Sequence, residues 1–260
     1  MIVAEYPDGD LQIVCQADHA LLSGQIARAW RRPAFLSPKL WEEFAIAVDH
    51  HDDGWKIADA DPILDASGRP GNFRNTPTHR HIATWQHTLD QAIALGDYPR
   101  LLIASHARWL FTTLPTVDDN ARDAAVYMTE QLNVLMSQLL TKLAANPEYA
   151  LAVDPHTFDL SQKLFSFIDA LSLVFVRGLD WISRTDPLPF GEEVASIKLH
   201  SEMCSARWGR LTPWPFVEDD VAFSCPIRRI PGQSFRDSAH LHETLQQTPA
   251  KDRWWRAGRL

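Results

Sequence analysis

The stretch His50-His51-Asp52-Asp53-Gly54-Trp55-Lys56 sets an imidazole beside a carboxylate where an apolar helix ends, and follows them with a glycine expected to break that helix. Neighbouring helical residues point about 100° apart, so a His-Asp doublet inside a helix seldom serves one site, whereas at a helix end the backbone can turn and aim both at one point. A neutral imidazole and a carboxylate are standard ligands for Zn²⁺, Mn²⁺ or Fe²⁺. The same residue types interrupt apolar surroundings elsewhere. His19 follows Asp18 at the head of Ala20-Leu21-Leu22, His106 lies inside Leu101–Phe111, and Asp169 lies inside Leu164–Phe175. That last run is apolar on nearly every helical face, which puts Asp169 in or near the core. A buried carboxylate without a partner takes up a proton instead of keeping its charge. An arginine, a set of hydrogen-bond donors or a metal could compensate it, and a metal supplies the largest charge.

The elements that must position these groups are mostly helices. Pro7-Asp8-Gly9-Asp10 is a turn between Met1–Tyr6 and Leu11–Gln16, so the chain is expected to open with a β-hairpin. A first helix follows over about residues 17–30. Ser37-Pro38 reads as cap and first position of a second, on which Leu40, Phe44, Val48 and His51 share one inward stripe. Residues 53–78, with Pro62, Pro70 and Pro77, are expected to form a long functional loop. Further helices are expected over residues 79–95 and 98–112, over 118–145 with a stripe at Tyr127, Leu132, Leu135, Leu139 and Leu143, and from Asp154-Pro155 to near Trp181. After Pro187, short strands are expected at Ser196–Lys198 and Val221–Ile230, and a surface helix at Asp237–Gln247. The fold class is therefore mainly α, with a small antiparallel sheet joining the N-terminal hairpin to the C-terminal strands. The expected organisation is a single domain over 1–260, with a helical core at 17–182 and a β-containing elaboration at 1–16 and 187–260.

Composition narrows the function classes. Hydrophobic residues make up 45% of the 260-residue chain, with ten tryptophans, enough for a substantial core. A net charge of −8 argues against nonspecific nucleic-acid binding. No segment reaches the roughly 18–20 apolar residues of a membrane span, and Met1–Tyr6 lacks the features of a signal peptide. Cys15, Cys204 and Cys225 are odd in number and far apart, which disfavours a disulfide framework or a cysteine metal site. The expectation is a cytoplasmic protein with a small-molecule substrate and neither a nucleic-acid nor a membrane partner. Trp254-Trp255, read as exposed, would suit a homodimer.

The order His19, His51-Asp52, Asp169 on successive helices resembles the HD-domain superfamily of metal-dependent phosphohydrolases. The doublet's sequel departs from that family's pattern by an acid, Asp53, in a hydrophobic slot and one inserted aromatic, Trp55. The whole chain also resembles an uncharacterised bacterial family defined only as a domain of unknown function, on the blocks Gln16–Gln25, His51–Trp55, Ser105-His106 and Asp169–Leu173. The first resemblance implies an HD-like helical core in which His19, His51, Asp52 and Asp169 bind one divalent ion (Fe, Mn or Zn). In members with two ions, two histidines between doublet and aspartate join in. His81 and His106 fit that role, with His87 competing for the place of His81. His50 is expected in a supporting or surface role, and His156, His200, His240 and His242 at the surface.

A metal lowers the pKa of a bound water from about 16 toward 7, and the resulting hydroxide could attack phosphorus. Asp53 could orient that water or take its proton, and Lys56, Arg74, Arg80 and Arg108 could clamp phosphate oxygens. Asn72-Phe73 could line the pocket, and Trp55, Trp85 and Trp109 could stack on a ring or simply fill the core. The leading expectation is a hydrolase of a phosphorylated small molecule or nucleotide. One alternative is a non-haem di-iron oxygenase of the HD-like type, which needs both His81 and His106 as ligands. Another is a non-catalytic binding protein whose same residues form a buried polar network. A carboxylate-bridged di-iron bundle is disfavoured because no Glu-x-x-His occurs.

Overall fold

The computed structural model describes residues 1–113, 119–177, 186–201, 208–232 and 234–259. Among the described residues helix far outweighs strand, so the architecture is mainly α with a small sheet. The helices are α1 Gln16–Ala29, α2 Pro38–His50, α3 Trp55–Ala60, α4 Thr78–Gln91, α5 Asp97–Thr113, α6 Asp119–Ala144, α7 Pro155–Arg177 and α8 Ser238–Gln247. The strands are β1 Ile2–Glu5, β2 Leu11–Val14, β3 Pro187–Phe190, β4 Glu193–Ser196, β5 Lys198–Ser201, β6 Trp208–Thr212, β7 Asp220–Ile230 and β8 Lys251–Gly258. The expected end of the long helix near Trp181, and Cys204, lie outside the described residues.

Local chemistry sets the main boundaries. Ser37 accepts a hydrogen bond from the Leu40 amide and Pro38 opens α2, as a cap and first-position proline should. The stripe Leu40, Phe44, Val48 and His51 is buried throughout. On α6 the inward stripe runs through Met128, Leu132, Met136, Leu139 and Leu143, while Tyr127 faces solvent, correcting the expectation for that residue. The helical period places Met128 rather than Tyr127 one turn before Leu132. The 53–78 segment also differs from the expected loop. It begins with α3 and contains a 3-10 turn at Phe73–Asn75. Backbone at His51 and Gly54 stays right-handed helical, with φ of −63° at each, so the chain winds into α3 instead of breaking at the glycine.

The main sheet has the order β1-β2-β7-β8-β6-β5. The hairpin β1–β2 joins β7 antiparallel, with Leu11 opposite Ile230, as expected of a sheet shared by both chain ends. Strands β6 and β8 had no expectation, and they pair parallel, so the sheet is mixed. Strand alternation turns Trp255 inward opposite Phe223 and leaves Trp254 exposed, which corrects the pair of exposed tryptophans. A second hairpin, β3–β4, stands apart from this sheet. The sheet rests on α1 and α7. Gln25 of α1 bonds both backbone groups of Ser224 on β7, at 2.9 and 3.0 Å, as a neighbouring strand would.

Candidate metal centre

Three helices and one helix end deliver the ligand-type side chains to one point. His19 comes from the first turn of α1, His51 and Asp52 from the end of α2, His106 from α5 and Asp169 from α7, and all are buried. His19 Nε2 lies 3.0 Å from Asp169 Oδ1, and His51 Nε2 lies 3.6 Å from the same oxygen. His106 Nε2 is 3.3 Å from Asp169 Oδ2. Asp52 Oδ2 is 3.7 Å from His19 Nε2 and 3.6 Å from His51 Nε2. The His19, His51 and His106 rings stand edge to face, with centroids 5.4 Å apart in each adjacent pair, so their ring nitrogens converge.

These spacings suit ligands of a shared ion. Ligands about 2.0–2.2 Å from a metal lie roughly 3–3.6 Å from each other. The ligand atoms of His19, His51 and Asp169 all fall within 4.8 Å of one another. The buried Nε2 of His106 has no hydrogen-bond partner despite its proximity to Asp169, because the geometry between them is wrong for a hydrogen bond. A buried imidazole nitrogen left without a partner beside a carboxylate cluster can serve as a ligand to a cation. The donor set of imidazoles and carboxylates fits Zn²⁺, Mn²⁺ or Fe²⁺.

The far side of each ring is held so that Nε2 is left bare. His51 Nδ1 donates to the Val48 carbonyl at 2.7 Å, a bond available only at the helix end. His19 Nδ1 lies 2.6 Å from Ser172 Oγ, and that hydroxyl donates to the Asp169 carbonyl at 2.8 Å, so the ring must supply the proton between them. Ser23 donates to Ser172 at 2.9 Å, and Ser166 Oγ meets His106 Nδ1 at 3.3 Å. Along α7, Ser166, Asp169 and Ser172 recur every third residue, which places them in one row on one face. That row meets His106, the cluster and His19 in turn. Partners of this kind fix the tautomer and aim of metal-binding imidazoles. The start of α1 is anchored by Asp59 of α3, whose Oδ2 accepts the Gln16 amide proton at 2.7 Å.

The electrostatics of the bare cluster have one cause, carboxylates and imidazoles buried together. Burial alone would push the Asp169 carboxyl up, but His106, His19 and His51 outweigh it and hold it well below the usual carboxylate range. Burial raises the Asp52 carboxyl. Burial also opposes charge on His51, yet Asp52 and Asp169 overcome it and lift its pKa to about 9. Burial dominates at His106 and lowers it. The neighbouring Asp52 and Asp169 thus favour the protonated form of His51.

A cavity of about 560 Å³ opens over the cluster. Of the residues singled out from sequence, His19, His51, Asp52, His81, His106, Asp169 and Arg74 line it, with Phe73, Trp55, Trp85 and Trp109. His81 is in the wall but outside the cluster. Its Nε2 accepts the Trp85 indole proton at 3.3 Å, and burial drops its pKa to about 4. His87 bonds Gln91 at 2.7 Å away from the cavity. Asp53, Lys56, Asn72, Arg80 and Arg108 do not line it. One residue past Asp52, Asp53 is buried but off the cavity, held at 2.8 Å by His50 and 2.7 Å by Lys56. Arg80, one residue before His81, pairs with Asp61 at 3.2 Å. Arg108, about 200° round α5 from His106, lines a separate cavity with Ser105, Lys163 and Ser166. Asn72 shapes the turn beside the site, with Nδ2 donating to the Val3 carbonyl at 3.1 Å and Oδ1 accepting from the Arg74 amide. Sequence reasoning missed Gln16, Ser23, Asp59, Ser166 and Ser172. The three-residue spacing of polar groups in an apolar helix was the available signal for the last two.

Fold and site together define a mainly helical protein with a buried histidine–aspartate cluster that can bind a metal ion. The chain belongs to the family described as "Protein of unknown function (DUF3891)", whose family model matches residues 1–232. No curated protein and no solved structure matches it. Among the described residues, no helix is long and apolar enough to cross a membrane.

Proposed function

We propose that the chain is a metal-dependent hydrolase of a phosphorylated small molecule or nucleotide, built on an HD-like helical core. The observation that carries this reading is the ligand geometry: bare imidazole nitrogens and carboxylate oxygens 3.0–3.7 Å apart, with the buried His106 Nε2 left without a hydrogen bond. A divalent ion held there by His19, His51, Asp52 and Asp169, with His106 beside them, would bring the pKa of a coordinated water to about 7 and so supply hydroxide at neutral pH. Ser172 and the Val48 carbonyl keep the His19 and His51 tautomers suited to that task. Trp55, Trp85 and Phe111 line the cavity with apolar surface, and Arg74 offers it positive charge. The engagement of His81 Nε2 by Trp85 favours this single-ion reading over the di-iron oxygenase, which needs His81 as a ligand.

The test is metal analysis with a phosphate-release assay over a panel of phosphate monoesters. The expected result is one ion per chain, phosphate release that is lost on chelation and restored by Mn²⁺, and no release by a folded Asp169→Asn variant. Two irons per chain with no phosphate release would support the oxygenase instead. A metal content near zero, with a melting temperature indifferent to chelator, would leave only a binding protein.

A further inference from the structure

The cavity over the cluster is walled by rings. His106, itself part of the cluster, meets Trp85 and Trp109, with ring centroids 6.0 Å away in each case. Trp85 donates its indole proton to His81 Nε2 at 3.3 Å, and the His81 ring lies 5.4 Å from Trp55 and 5.7 Å from Phe111. All of these rings line the cavity. Trp55 and Trp85 are buried and Phe111 is half-buried, so the aromatic surface starts at the cluster and leads away from it. Leu173, one helical turn past Asp169 on α7, adds aliphatic surface, as do Ala121 and Ala125 of α6.

Charged and hydrogen-bonding groups are scarce on this surface. An indole N–H only donates, so His81 Nε2 is the acceptor, and the neutral ring carries its proton on Nδ1. Burial drops the His81 pKa to about 4, which keeps the ring uncharged at neutral pH. Thr76, also in the wall, donates its hydroxyl proton to the Asn72 carbonyl at 3.4 Å. Gln16 is buried, and its Oε1 has no hydrogen-bond partner. Arg74 is the one arginine or lysine among the described lining residues, and it is exposed. Ligand sites with apolar walls and a few polar groups take largely apolar bodies. A sugar hydroxyl set against such a wall loses water without gaining a partner. A second phosphate brings more charge than one guanidinium balances.

We infer that the cavity takes a phosphate monoester of an apolar, ring-bearing alcohol, with the phosphate at the cluster and the body along the Trp55–His81–Phe111 wall. The Gln16 oxygen and the His81 Nδ1 proton serve a polar atom or two on that body. Nucleotides, sugar phosphates and polyphosphates fit poorly. The inference names the substrate class of the proposed hydrolase. It rests on that reading for the phosphate, and on the wall alone for the body.

The test follows phosphate release from 2-naphthylmethyl phosphate, ethyl phosphate, ribose 5-phosphate and adenosine 5′-monophosphate by the Mn²⁺-loaded full chain. All four are esters of primary alcohols, so their kcat/KM values compare bodies and not leaving groups. The naphthyl ester should exceed each of the others by about 100-fold. Phe111→Ala and Leu173→Ala should each raise its KM by about tenfold, with Phe111→Leu recovering part of the loss. Retained Mn²⁺ reports that the variants are folded, and the half-buried Phe111 carries the test if Leu173→Ala misfolds. In parallel, 2-naphthalenemethanol is titrated calorimetrically into the chelator-treated chain, where it should bind and lose about tenfold in affinity in the same variants. Ribose 5-phosphate or adenosine monophosphate turned over as efficiently as the naphthyl ester would overturn the inference. So would a naphthyl KM moved less than twofold by both alanine variants. No release from any ester, with wall-dependent binding of the alcohol, would keep the apolar body and remove the hydrolase. Release from the ethyl ester, with no naphthyl preference and no binding of the alcohol, would keep the hydrolase and remove the inference.

Discussion

Gly54 is required by space and not by backbone conformation, and that makes a sharp prediction. Its φ of −63° and ψ of −22° suit any residue. A Cβ placed there would sit 2.0 Å from the Thr84 carbonyl oxygen and 2.9 Å from the Thr88 amide nitrogen, both fixed backbone of α4. Ordinary contact begins near 3.4 Å, so the turn and α4 would have to part by more than about 1 Å. Overpacking of this kind costs about 1–3 kcal/mol. Parting also strains the 2.9 Å hydrogen bond from the Gly54 amide to Thr88 Oγ1, worth about 1 kcal/mol. Replacing glycine in helical backbone returns up to about 1 kcal/mol. With the last two offsetting each other, Gly54→Ala should therefore lose about 1–3 kcal/mol, or roughly 2–12 °C in Tm for a chain of this size. Gly24 is the internal comparator. Its Cβ would meet Asp49 Oδ1 at 1.6 Å, but that is a side-chain tip that can rotate away. Doing so gives up a partly exposed Arg28–Asp49 pair, worth at most about 1 kcal/mol, against a similar gain in helix propensity. Gly24→Ala should stay within about 1 kcal/mol of the parent. Thermal and urea unfolding of both variants measure the difference. Equal stability of the two, or a Gly54→Ala protein as stable as the parent, would refute the close-approach argument.

Asp52→Ala should leave the chain folded but unable to retain a metal through dialysis, whereas Arg80→Ala, altered outside the cavity, should keep it; elemental analysis decides. Ser172→Ala removes the hydroxyl that fixes His19 and should weaken Zn²⁺ or Mn²⁺ binding by about 10–100-fold in a chelator competition. With the folded His51 pKa raised to about 9, its protonation stabilises the metal-free fold fully below the ordinary value near 6.5 and loses that effect as pH rises through 9. A metal must displace that proton, so its affinity should rise about tenfold per pH unit from 7 and level off near 9, with about one proton released per ion at pH 7.5. Calorimetry in buffers of different ionisation enthalpy counts the protons, and a pH-independent affinity would contradict the arrangement.

The sequence by itself determined which residues could not be ordinary. His51 on the stripe with Leu40, Phe44 and Val48, and Asp169 in an apolar helix, are legible because helical period and burial are local properties. The N-terminal hairpin, the mainly helical character and the polar residues of the cluster follow from the same local rules. Tertiary structure alone decided the rest. Whether Asp52 or Asp53 faces inward depends on how the backbone leaves α2, and right-handed winding through Gly54 turned Asp52 to the cluster and gave Asp53 to His50 and Lys56. His81 and His106 were both expected to hold a second ion, but only His106 meets Asp169, while the His81 nitrogen accepts from Trp85. Local sequence encodes burial and period over a few turns, whereas convergence of side chains from distant helices depends on long-range contacts that no window of the chain contains.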